Sequence, residues 1–276
     1  MYSVVILTYN EEKNIAECLI TLKGSDDIVV LDSFSTDETI EIAKKLNART
    51  YFRKFDNYAN QRNFALTEID YKYDWLLMLD ADERMTESLD LEIRNELAKN
   101  NNLITLYRFR RKDMFMGRWL RRSSGYPTWF GRMMKIGSVR IERDINEEYH
   151  TTGEVKLLKN HIIHFPFNKG IEFWIERHNK YSSMEARYLT SDLATKQKSL
   201  INLLSKDPVI RRKILKQIFY KLPFRSSLVF LYLYIFRMGF MDGYPGYLFC
   251  RLRSSYEYMI SIKMKELRKN PEISVK

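Results

Sequence analysis

Residues 75–83 read WLLMLDADE, and this stretch decides the fold. An apolar run ends abruptly at Asp80, and Asp82 and Glu83 follow it closely. A short apolar run bounded by charge is typical of a buried parallel strand. Ligands of open α/β sheets bind beyond the carboxyl ends of the strands, and Mg²⁺ prefers carboxylate oxygens together with substrate phosphates. The stretch therefore predicts a metal held against a diphosphate, although an Asp that caps a helix would leave the same pattern.

The residues around this stretch alternate between strand and helix patterns. Strands are predicted over 3–8, 27–32, 49–52 and 75–80, and helices over 14–23, 35–46, 58–67 and 86–98. This alternation predicts an α/β fold of the Rossmann-like type, a mostly parallel sheet with helices on both faces. The sequence contains neither GxGxxG nor GxxxxGK[ST], which excludes a dinucleotide fingerprint and a P-loop. Phosphates are therefore expected to be bound by a metal and by side chains.

Polar clusters follow the first two predicted strands, TYNEE at 8–12 and DSFSTD at 32–37. Both clusters lie at the sheet edge where a nucleotide would bind. Asp32 can accept a hydrogen bond from a base N–H or a ribose hydroxyl, or it can be a turn residue that binds its own backbone. Arg62, in the third predicted helix, suits bidentate phosphate recognition, and a surface salt bridge is its alternative role.

The net charge of +11 is unevenly distributed. Residues 1–107 carry 12 basic and 20 acidic side chains, residues 108–143 carry 11 and 2, and residues 206–276 carry 15 and 5. Such basic blocks attract nucleic acid, anionic lipid or phosphorylated sugars, so composition alone does not choose between them. Cys18 and Cys250 lack CxxC spacing, so we expect no disulfide framework or zinc site. Residues 1–7 lack a basic n-region, and no signal peptide is expected.

Four motifs occur in an order and approximate spacing that resemble those of family 2 glycosyltransferases of the GT-A fold, at 8–12, 32–37, 61–63 and 80–82. The resemblance implies a nucleotide-sugar donor, and it places residues around that donor. Those implied to border the nucleotide are Thr8, Asn10, Glu11 and Asp32. Arg62 is implied to lie near the diphosphate, with Asp80 and Asp82 as the pair that holds Mn²⁺ or Mg²⁺.

More narrowly, the chain is similar to a bacterial subgroup that adds sugars to the lipopolysaccharide inner core or related surface glycans. In that subgroup a Val-His-Glu-like motif supplies the carboxylate that activates the acceptor, and the matching segment here contains Asn146, Glu147 and Glu148. A sugar hydroxyl has a pKa far above neutral, so its attack benefits from a carboxylate general base. Glu147 is the expected base and Glu148 the alternative, and the resemblance implies inversion at the anomeric carbon.

The basic block at about 108–143 interleaves cations with aromatic residues and is expected to form an acceptor loop. Aromatic faces stack on sugars and arginine forks bind phosphates, so Trp129 and Arg132 are predicted to contact an anionic acceptor. A basic loop that merely covers the fold is the alternative. Further along, His164 can supply a metal ligand or an acceptor contact, or it can be a structural histidine.

Two domains are expected, a catalytic domain over 1–168 and a basic helical region over 169–276. Eleven uncharged residues lie between Arg225 and Arg237. As a helix they span about 16 Å, far less than the roughly 30 Å hydrocarbon core of a bilayer. An apolar, tyrosine-rich helix among cations suits the headgroup region of an anionic membrane. A buried helix or a dimer face would give the same pattern.

The leading hypothesis is therefore a cytoplasmic enzyme, peripheral on the inner face of the cytoplasmic membrane. It would transfer a sugar from a nucleotide-sugar, expected from the resemblance to be UDP-linked, to a lipopolysaccharide-core or other lipid-linked acceptor. One alternative is a nucleotidyltransferase, which would usually carry a glycine-rich, basic loop after its first strand; residues 8–12 are acidic instead. The other is a basic nucleic-acid-binding module. That reading leaves the acidic strand ends unexplained, so no nucleic acid partner is expected.

Overall fold

The structure is a computed structural model that describes residues 1–142, 148–190, 207–208, 210–211, 215, 219–220 and 222–270. It divides into two compact units. The first unit consists of Met1–Met114 and Pro127–Lys169, and the second consists of Phe115–Tyr126 and the described residues from Gly170 onward.

A parallel core of four strands forms one half of the sheet in the first unit. These strands are β1 (Ser3–Thr8), β2 (Ile28–Asp32), β3 (Arg49–Phe52) and β4 (Trp75–Asp80). β1 pairs in parallel with both β2 and β4, and β2 pairs in parallel with β3. The predicted α/β class and the parallel pairing are confirmed, and the apolar runs of β1, β2 and β4 are buried on both faces, as is usual for parallel strands.

Four helices connect and follow these strands: α1 (Glu12–Ile20), α2 (Thr39–Lys45), α3 (Tyr58–Thr67) and α4 (Glu87–Ala98). α3 has its predicted bounds, and Asn57 caps it by accepting the Asn60 N–H at 2.8 Å. α2 begins later than the predicted Ser35 or Thr36 cap. The Ser35 N–H and hydroxyl bind the Asp32 carboxylate instead, and this holds the segment as a turn.

The second half of the sheet mixes directions and was not predicted. It contains β5 (Glu83–Arg84), β6 (Ile104–Phe115), β8 (Trp129–Lys135) and β11 (Glu154–His164). The strand order across the sheet is β3-β2-β1-β4-β8-β6-β11-β5. β8 is antiparallel to β4 and β6, and β6 is parallel to β11. Much of the basic block at 108–143 is therefore sheet, which differs from the single acceptor loop expected from the sequence.

Two hydrophobic clusters cover opposite faces of the parallel strands. Val4, Ile6 and Leu77 pack in one cluster with Ile15 of α1 and Leu89 of α4. Alternate strand residues pack in the other cluster with Ala65 and Leu66 of α3, among them Val5, Val29, Leu76 and Met78. Because successive side chains of a strand point to opposite faces, this division confirms that helices cover both faces.

A separate antiparallel ladder joins β9 (Val139–Glu142) to β10 (Glu148–Thr151). Asn63 of α3 fixes β9 by two backbone contacts. Its side-chain N–H donates to the Ile141 carbonyl at 2.7 Å, and its side-chain oxygen accepts the Ile141 N–H at 3.0 Å. Glu147 lies outside the described residues, in the segment that connects these two strands.

The second unit is mainly helical. Its elements are β7 (Arg118–Trp119), α5 (Ile171–Thr190), α6 (Arg225–Leu231), a π-helix (Tyr232–Phe236), a 3₁₀-helix (Gly239–Asp242) and α7 (Gly243–Lys269). α5 and α7 share a small core formed by Ala186, Tyr256, Ile260 and Met264. The helix predicted near 209–220 falls largely outside the described residues. None of the helices in the described part of the chain has the length and apolar character needed to span a membrane.

Candidate active site at the strand ends

The carboxyl ends of β1, β2 and β4 bring the predicted polar residues to one edge of the sheet. Thr8 is in register with Asp32 across β1 and β2, and Leu7 is in register with Asp80 across β1 and β4. Parallel strands that end in register place their C-terminal side chains next to one another, which is where ligands of such sheets bind. The edge is therefore the candidate site.

Asp32 organises the turn after β2. The carboxylate is fully buried and accepts three hydrogen bonds, from the Thr8 hydroxyl at 2.7 Å and from the N–H and hydroxyl of Ser35 at 2.6 Å each. The turn thus joins the ends of β1 and β2. Thr8 and Asp32, two of the residues predicted to border a nucleotide, are the last residues of these strands. This contact pattern also matches the turn role that the sequence left open for Asp32.

Asn10 and Phe34 shape the surface of this edge. Asn10 has a left-handed backbone with φ 52°, and its side-chain oxygen accepts the Thr36 N–H at 2.8 Å. Phe34 is also left-handed, with φ 62°, and its exposed ring lies 5.8 Å from the ring of Phe52. The turn therefore presents apolar ring surface beside its hydrogen-bonding groups.

Glu11 lies in a partly buried ion pair at the start of α1. Its carboxylate accepts hydrogen bonds from Lys169 Nζ at 2.6 Å and from the Asn14 amide at 2.8 Å. Burial raises the pKa of Glu11, and the opposing attraction of Lys169 only partly offsets that effect. Nearby Asp82 also raises it. Glu11 therefore belongs to the same electrostatic site as the acids at the end of β4.

Two buried arginines hold the carboxylate of Asp80. Arg62 Nη2 donates to one carboxylate oxygen at 2.7 Å, and Arg132 Nη2 donates to the other at 2.6 Å. Each arginine side chain is only 3% exposed. Burial alone would raise the pKa of Asp80, but Arg132 and Arg62 together hold it well below its usual range. Asp80 is therefore ionised and is the centre of a charge-assisted contact.

Arg132, which was predicted to bind the acceptor, is buried and contacts Asp80 at the end of β4. Its Nη2 also donates to Glu83 Oε1 at 2.9 Å, and Glu83 is fully buried. Glu83 in turn accepts the backbone N–H of Asp80 at 3.1 Å. Arg132 is thus held by two carboxylates, Asp80 and Glu83, and it shares Asp80 with Arg62. Glu83 itself was not assigned a role from the sequence.

A second chain of charges reaches Asp82. His164 Nδ1 lies 2.7 Å from Asp113 Oδ1, and His164 Nε2 lies 3.4 Å from Asp82 Oδ2. Arg111 Nε also contacts Asp113, at 3.0 Å. Burial and Arg111 would lower the pKa of His164, but Asp82 and Asp113 raise it. Asp113 has its pKa lowered to about 2 by Arg111 and His164, against the effect of burial.

In the described part of the chain, no group of three or more histidine, cysteine, aspartate or glutamate side chains is arranged to hold a metal ion, and Asp82 with His164 offers only a partial set. Carboxylate oxygens are the ligands that Mg²⁺ and Mn²⁺ prefer. The His164 ring, whose pKa is raised between Asp82 and Asp113, must lose its proton before it can add a nitrogen ligand. Asp82 and His164 supply one group of each kind at the end of β4 and β11. Asp80 has both oxygens in contact with arginine, so Asp82 fits the metal better than Asp80 does.

Other predicted residues lie on the later strands, and Glu147 lies outside the described residues. Trp129, at the start of β8, has its ring 5.6 Å from the guanidinium carbon of Arg110. Glu148 begins β10 and is in register with Glu142. His161, three positions before His164, has its pKa lowered to about 4 by burial. Asn63, which anchors β9, was part of a predicted motif but had no predicted role.

The strand order, the helices on both faces and the acids at the strand ends together define a GT-A fold. A mannosyltransferase from Pyrobaculum calidifontis has a similar structure, with a TM-score of 0.52 and 15% identity; the match covers 96% of this chain and 86% of that chain. The chain belongs to glycosyl transferase family 2, whose model matches residues 3–153.

Two relatives extend the similarity beyond that domain. A glycosyltransferase of Rickettsia prowazekii is 26% identical over 96% of this chain and 87% of its own length. The lipopolysaccharide core biosynthesis glycosyltransferase LpsC of Rhizobium meliloti is 26% identical over 95% of this chain and 91% of its own length. Membership of the family identifies the chain as a glycosyltransferase, which decides against the nucleotidyltransferase and nucleic-acid-binding alternatives.

Proposed function

We propose that this glycosyltransferase moves a sugar, with inversion, from a UDP-linked donor to a lipopolysaccharide-core or other lipid-linked acceptor. The similarity to LpsC over nearly the full length of both chains supports the acceptor class. The mannosyltransferase of similar fold was solved with GDP-mannose and Mn²⁺, which supports a nucleotide-sugar donor and a divalent cation here. The enzyme would work at the inner face of the cytoplasmic membrane, bound peripherally to anionic lipid.

The observation that carries this proposal is the pair of arginines on Asp80. Two guanidiniums, Arg62 and Arg132, converge from α3 and β8 on one carboxylate at the end of β4. A diphosphate offers pairs of anionic oxygens that an arginine fork can bind bidentately, as it binds a carboxylate. We propose that Arg62 and Arg132 share their N–H groups between Asp80 and the departing nucleoside diphosphate, whose charge grows in the transition state.

We also propose that Asp82, with Asp80 and His164, holds Mn²⁺ or Mg²⁺. When bound there, the cation would neutralise negative charge on the diphosphate. Asp82 is the main ligand, because it lies beside His164 while Asp80 is held by the arginines. Asp113 keeps His164 oriented through its contact with Nδ1, as second-layer carboxylates do for many metal-binding histidines.

The remaining residues have roles on either side of the reacting bond. Thr8, Asn10, Glu11 and Asp32 border the nucleoside, and Trp129 contacts the acceptor sugar. Glu147, with Glu148 as the alternative, takes the proton of the acceptor hydroxyl. The hydroxyl oxygen then bonds to the anomeric carbon, and the bond from that carbon to the diphosphate oxygen breaks.

The donor site is tested by calorimetric titration of UDP-sugars in the presence of Mn²⁺. We expect Asp82→Asn to weaken Mn²⁺-dependent donor binding by about tenfold or more, since one carboxylate ligand is lost. Asp26→Asn is the matched control, because Asp26 is exposed and precedes β2 at the opposite end of the strand from Asp32. Donor binding that survives both a chelator and Asp82→Asn unchanged would contradict the proposal.

The base is tested separately by comparing Glu147→Gln with Glu148→Gln. Loss of a general base typically lowers turnover by about 10²- to 10⁴-fold. We expect that loss for Glu147→Gln, with donor binding retained, and a change of less than about tenfold for Glu148→Gln. The reverse pattern would assign the base to Glu148, and full turnover in both variants would remove the role from this segment.

A further inference from the structure

The second unit exposes an unusual concentration of apolar side chains between Leu222 and Tyr247. Five large rings lie largely in solvent there, and we call them the aromatic cap: Phe224, Tyr232, Phe236, Phe240 and Tyr244. Phe224 is 84% exposed and Phe236 is 77% exposed. Single exposed apolar residues are ordinary on a protein surface, but a concentration of them marks an interaction site.

Ring contacts link the elements that carry the aromatic cap. Tyr234 of the π-helix lies 5.2 Å from Phe230 of α6, 6.2 Å from Phe240 of the 3₁₀-helix and 5.7 Å from Tyr247 of α7. Tyr244 lies 6.5 Å from Tyr247. These distances lie within or close to the range of direct aromatic contacts. Phe240 and Tyr244 are therefore linked through Tyr234 and Tyr247, while Phe224, Tyr232 and Phe236 lie on or next to the same consecutive helical elements.

The backbone beneath this surface is closely packed. A Cβ added at Gly246 would lie 2.4 Å from the Gly239 carbonyl oxygen, so the 3₁₀-helix and α7 approach each other more closely than a side chain would allow. Phe224 has a left-handed backbone with φ 52°, a conformation that costs phenylalanine more than glycine. Its ring has little contact within the chain to offset that cost.

The charges on the segment that carries the aromatic cap are almost all positive. Asp242 is the single acidic residue between Leu222 and Tyr256 in the sequence. Its carboxylate is buried and accepts hydrogen bonds from the N–H groups of Arg122 and Ser123 and from the Ser123 hydroxyl, at 2.9, 2.7 and 2.8 Å. The negative charge is thus used internally and does not face solvent beside the rings.

Cations border the same surface. Arg118 donates to the carbonyl of Met241 at 3.0 Å. The guanidinium of Arg251 lies 5.8 Å from the ring centroid of Phe230. Arg237 follows the π-helix directly and donates to the Tyr126 carbonyl. Exposed aromatic rings bordered by arginine match the boundary between acyl chains and anionic headgroups, where rings insert and cations bind phosphates.

We infer that the aromatic cap is a membrane-docking surface whose partner is a bilayer containing anionic phospholipid. The inference deepens the proposed function, because it locates the membrane contact in the second unit. A second copy of the chain would bring the bordering arginines of both copies together, and like charges at an interface oppose association. The mostly positive charge on this segment therefore favours the lipid surface.

The test is sedimentation of the full-length protein with vesicles of equimolar phosphatidylglycerol and phosphatidylcholine, compared with phosphatidylcholine alone. We expect binding that is about tenfold weaker or more on the neutral vesicles, since several cations lose their partners. Phe224→Ser with Phe236→Ser should lower binding to the anionic vesicles by about tenfold or more, because two exposed rings are lost. Leu91→Ser with Leu103→Ser is the matched control, as both leucines are exposed but lie in the first unit.

A conservative variant keeps the test independent of folding. Phe236→Trp retains the ring, and its added fluorescence should shift to shorter wavelength and be quenched by brominated lipid. Absence of quenching, or equal vesicle binding by the serine variant and wild type, would overturn the inference. A wild-type dimer in sedimentation velocity that Phe236→Ser dissociates would assign the surface to a second copy instead. Asp82→Asn should bind vesicles normally, so failure of the donor site and failure of the docking surface are distinguishable.

Discussion

The strand-end site and the aromatic cap differ in what they bury: the first buries charged side chains, and the second leaves large apolar rings exposed. In the first unit, arginines and carboxylates are buried and matched to one another, as in the contacts of Arg62 and Arg132 with Asp80. In the second unit, large rings such as Phe224 and Phe236 are exposed. Buried charge is tolerated only when it is paired, whereas exposed apolar surface gains free energy only from an external partner. The contrast indicates that one region is organised around small charged ligands and the other around a surface.

The largest effect on stability is expected from removing Glu83, which belongs to the buried charge network. Removing one partner of a buried ion pair leaves an uncompensated charge, so Glu83→Ala is expected to lower the free energy of unfolding by about 3–5 kcal/mol. Urea denaturation measures the change. Glu96→Ala serves as the comparison, because Glu96 pairs with the more exposed Lys99 and Lys156. That variant should cost less than about 1 kcal/mol.

Equal small losses for the two glutamate variants would show that the strand-end charges do not depend on one another. The interpretation of Arg62 and Arg132 as a preorganised pair would then be wrong.

The second unit has its own buried acid, and its removal should have an intermediate effect. Asp242→Ala leaves three donors on Arg122 and Ser123 without their acceptor. Hydrogen bonds to charged groups contribute about 1.5–3 kcal/mol each, with losses that are not additive, so we expect about 2–3 kcal/mol of destabilisation. Hydrogen exchange should show the Ser123 amide losing protection. Asp242→Asn, which keeps an acceptor oxygen, should lose less.

Unchanged protection of Ser123 in Asp242→Ala would mean that the segment Phe115–Tyr126 is held within its unit by other contacts. The contacts of Asp242 with Arg122 and Ser123 would then not explain why this acid is buried beneath the aromatic cap.

A third prediction concerns the second unit, where acidification should lower the free energy of unfolding by a smaller amount. His178 of α5 stacks on Trp174 and meets Tyr256 edge-on. Burial lowers its pKa to about 3, helped by Arg253 and Arg177 and opposed by a hydrogen bond to the Trp174 carbonyl. Between about pH 6.5, the pKa of His178 in the unfolded chain, and about pH 3, its pKa in the folded chain, His178 binds a proton only when the chain is unfolded. Stability is therefore lost as the pH falls, by about 1–2 kcal/mol at pH 5.

Chemical denaturation at pH 7 and pH 5 measures this effect. His178→Gln should reduce the acid sensitivity, while His150→Gln, an exposed histidine of β10, should leave it unchanged. The same acid sensitivity in wild type and His178→Gln would assign it to other groups.

The parts of the fold that were predictable are those with local patterns. β1, β3, α3 and β4 have their predicted bounds, because apolar runs and an asparagine cap mark them within a few residues. α1 begins earlier than predicted, since the Glu11 carbonyl already accepts the N–H groups of Asn14 and Ile15. Local patterns could not give the pairing of β8 with β4 or of β6 with β11, which joins distant segments.

The candidate site was predictable to the same extent. Acids directly after a strand, such as Asp80 and Asp82, are visible in a sequence. The partners of those acids are not, because Arg132 lies 52 positions from Asp80. The contact of His164 with Asp113 could not be predicted for the same reason, because these residues are 51 positions apart. The roles assigned to Thr8, Asn10, Glu11, Asp32 and Glu147 remain predictions.

In the proposed donor site, a divalent cation binds at Asp82 while Arg62 and Arg132 face the diphosphate. A crystal grown with UDP and Mn²⁺ would show this arrangement, because manganese can be located by its anomalous scattering. We expect an anomalous peak within coordination distance of Asp82, about 2–2.5 Å, with the diphosphate next to Arg62 or Arg132. A peak bound to other residues, with the nucleotide away from the end of β4, would contradict it.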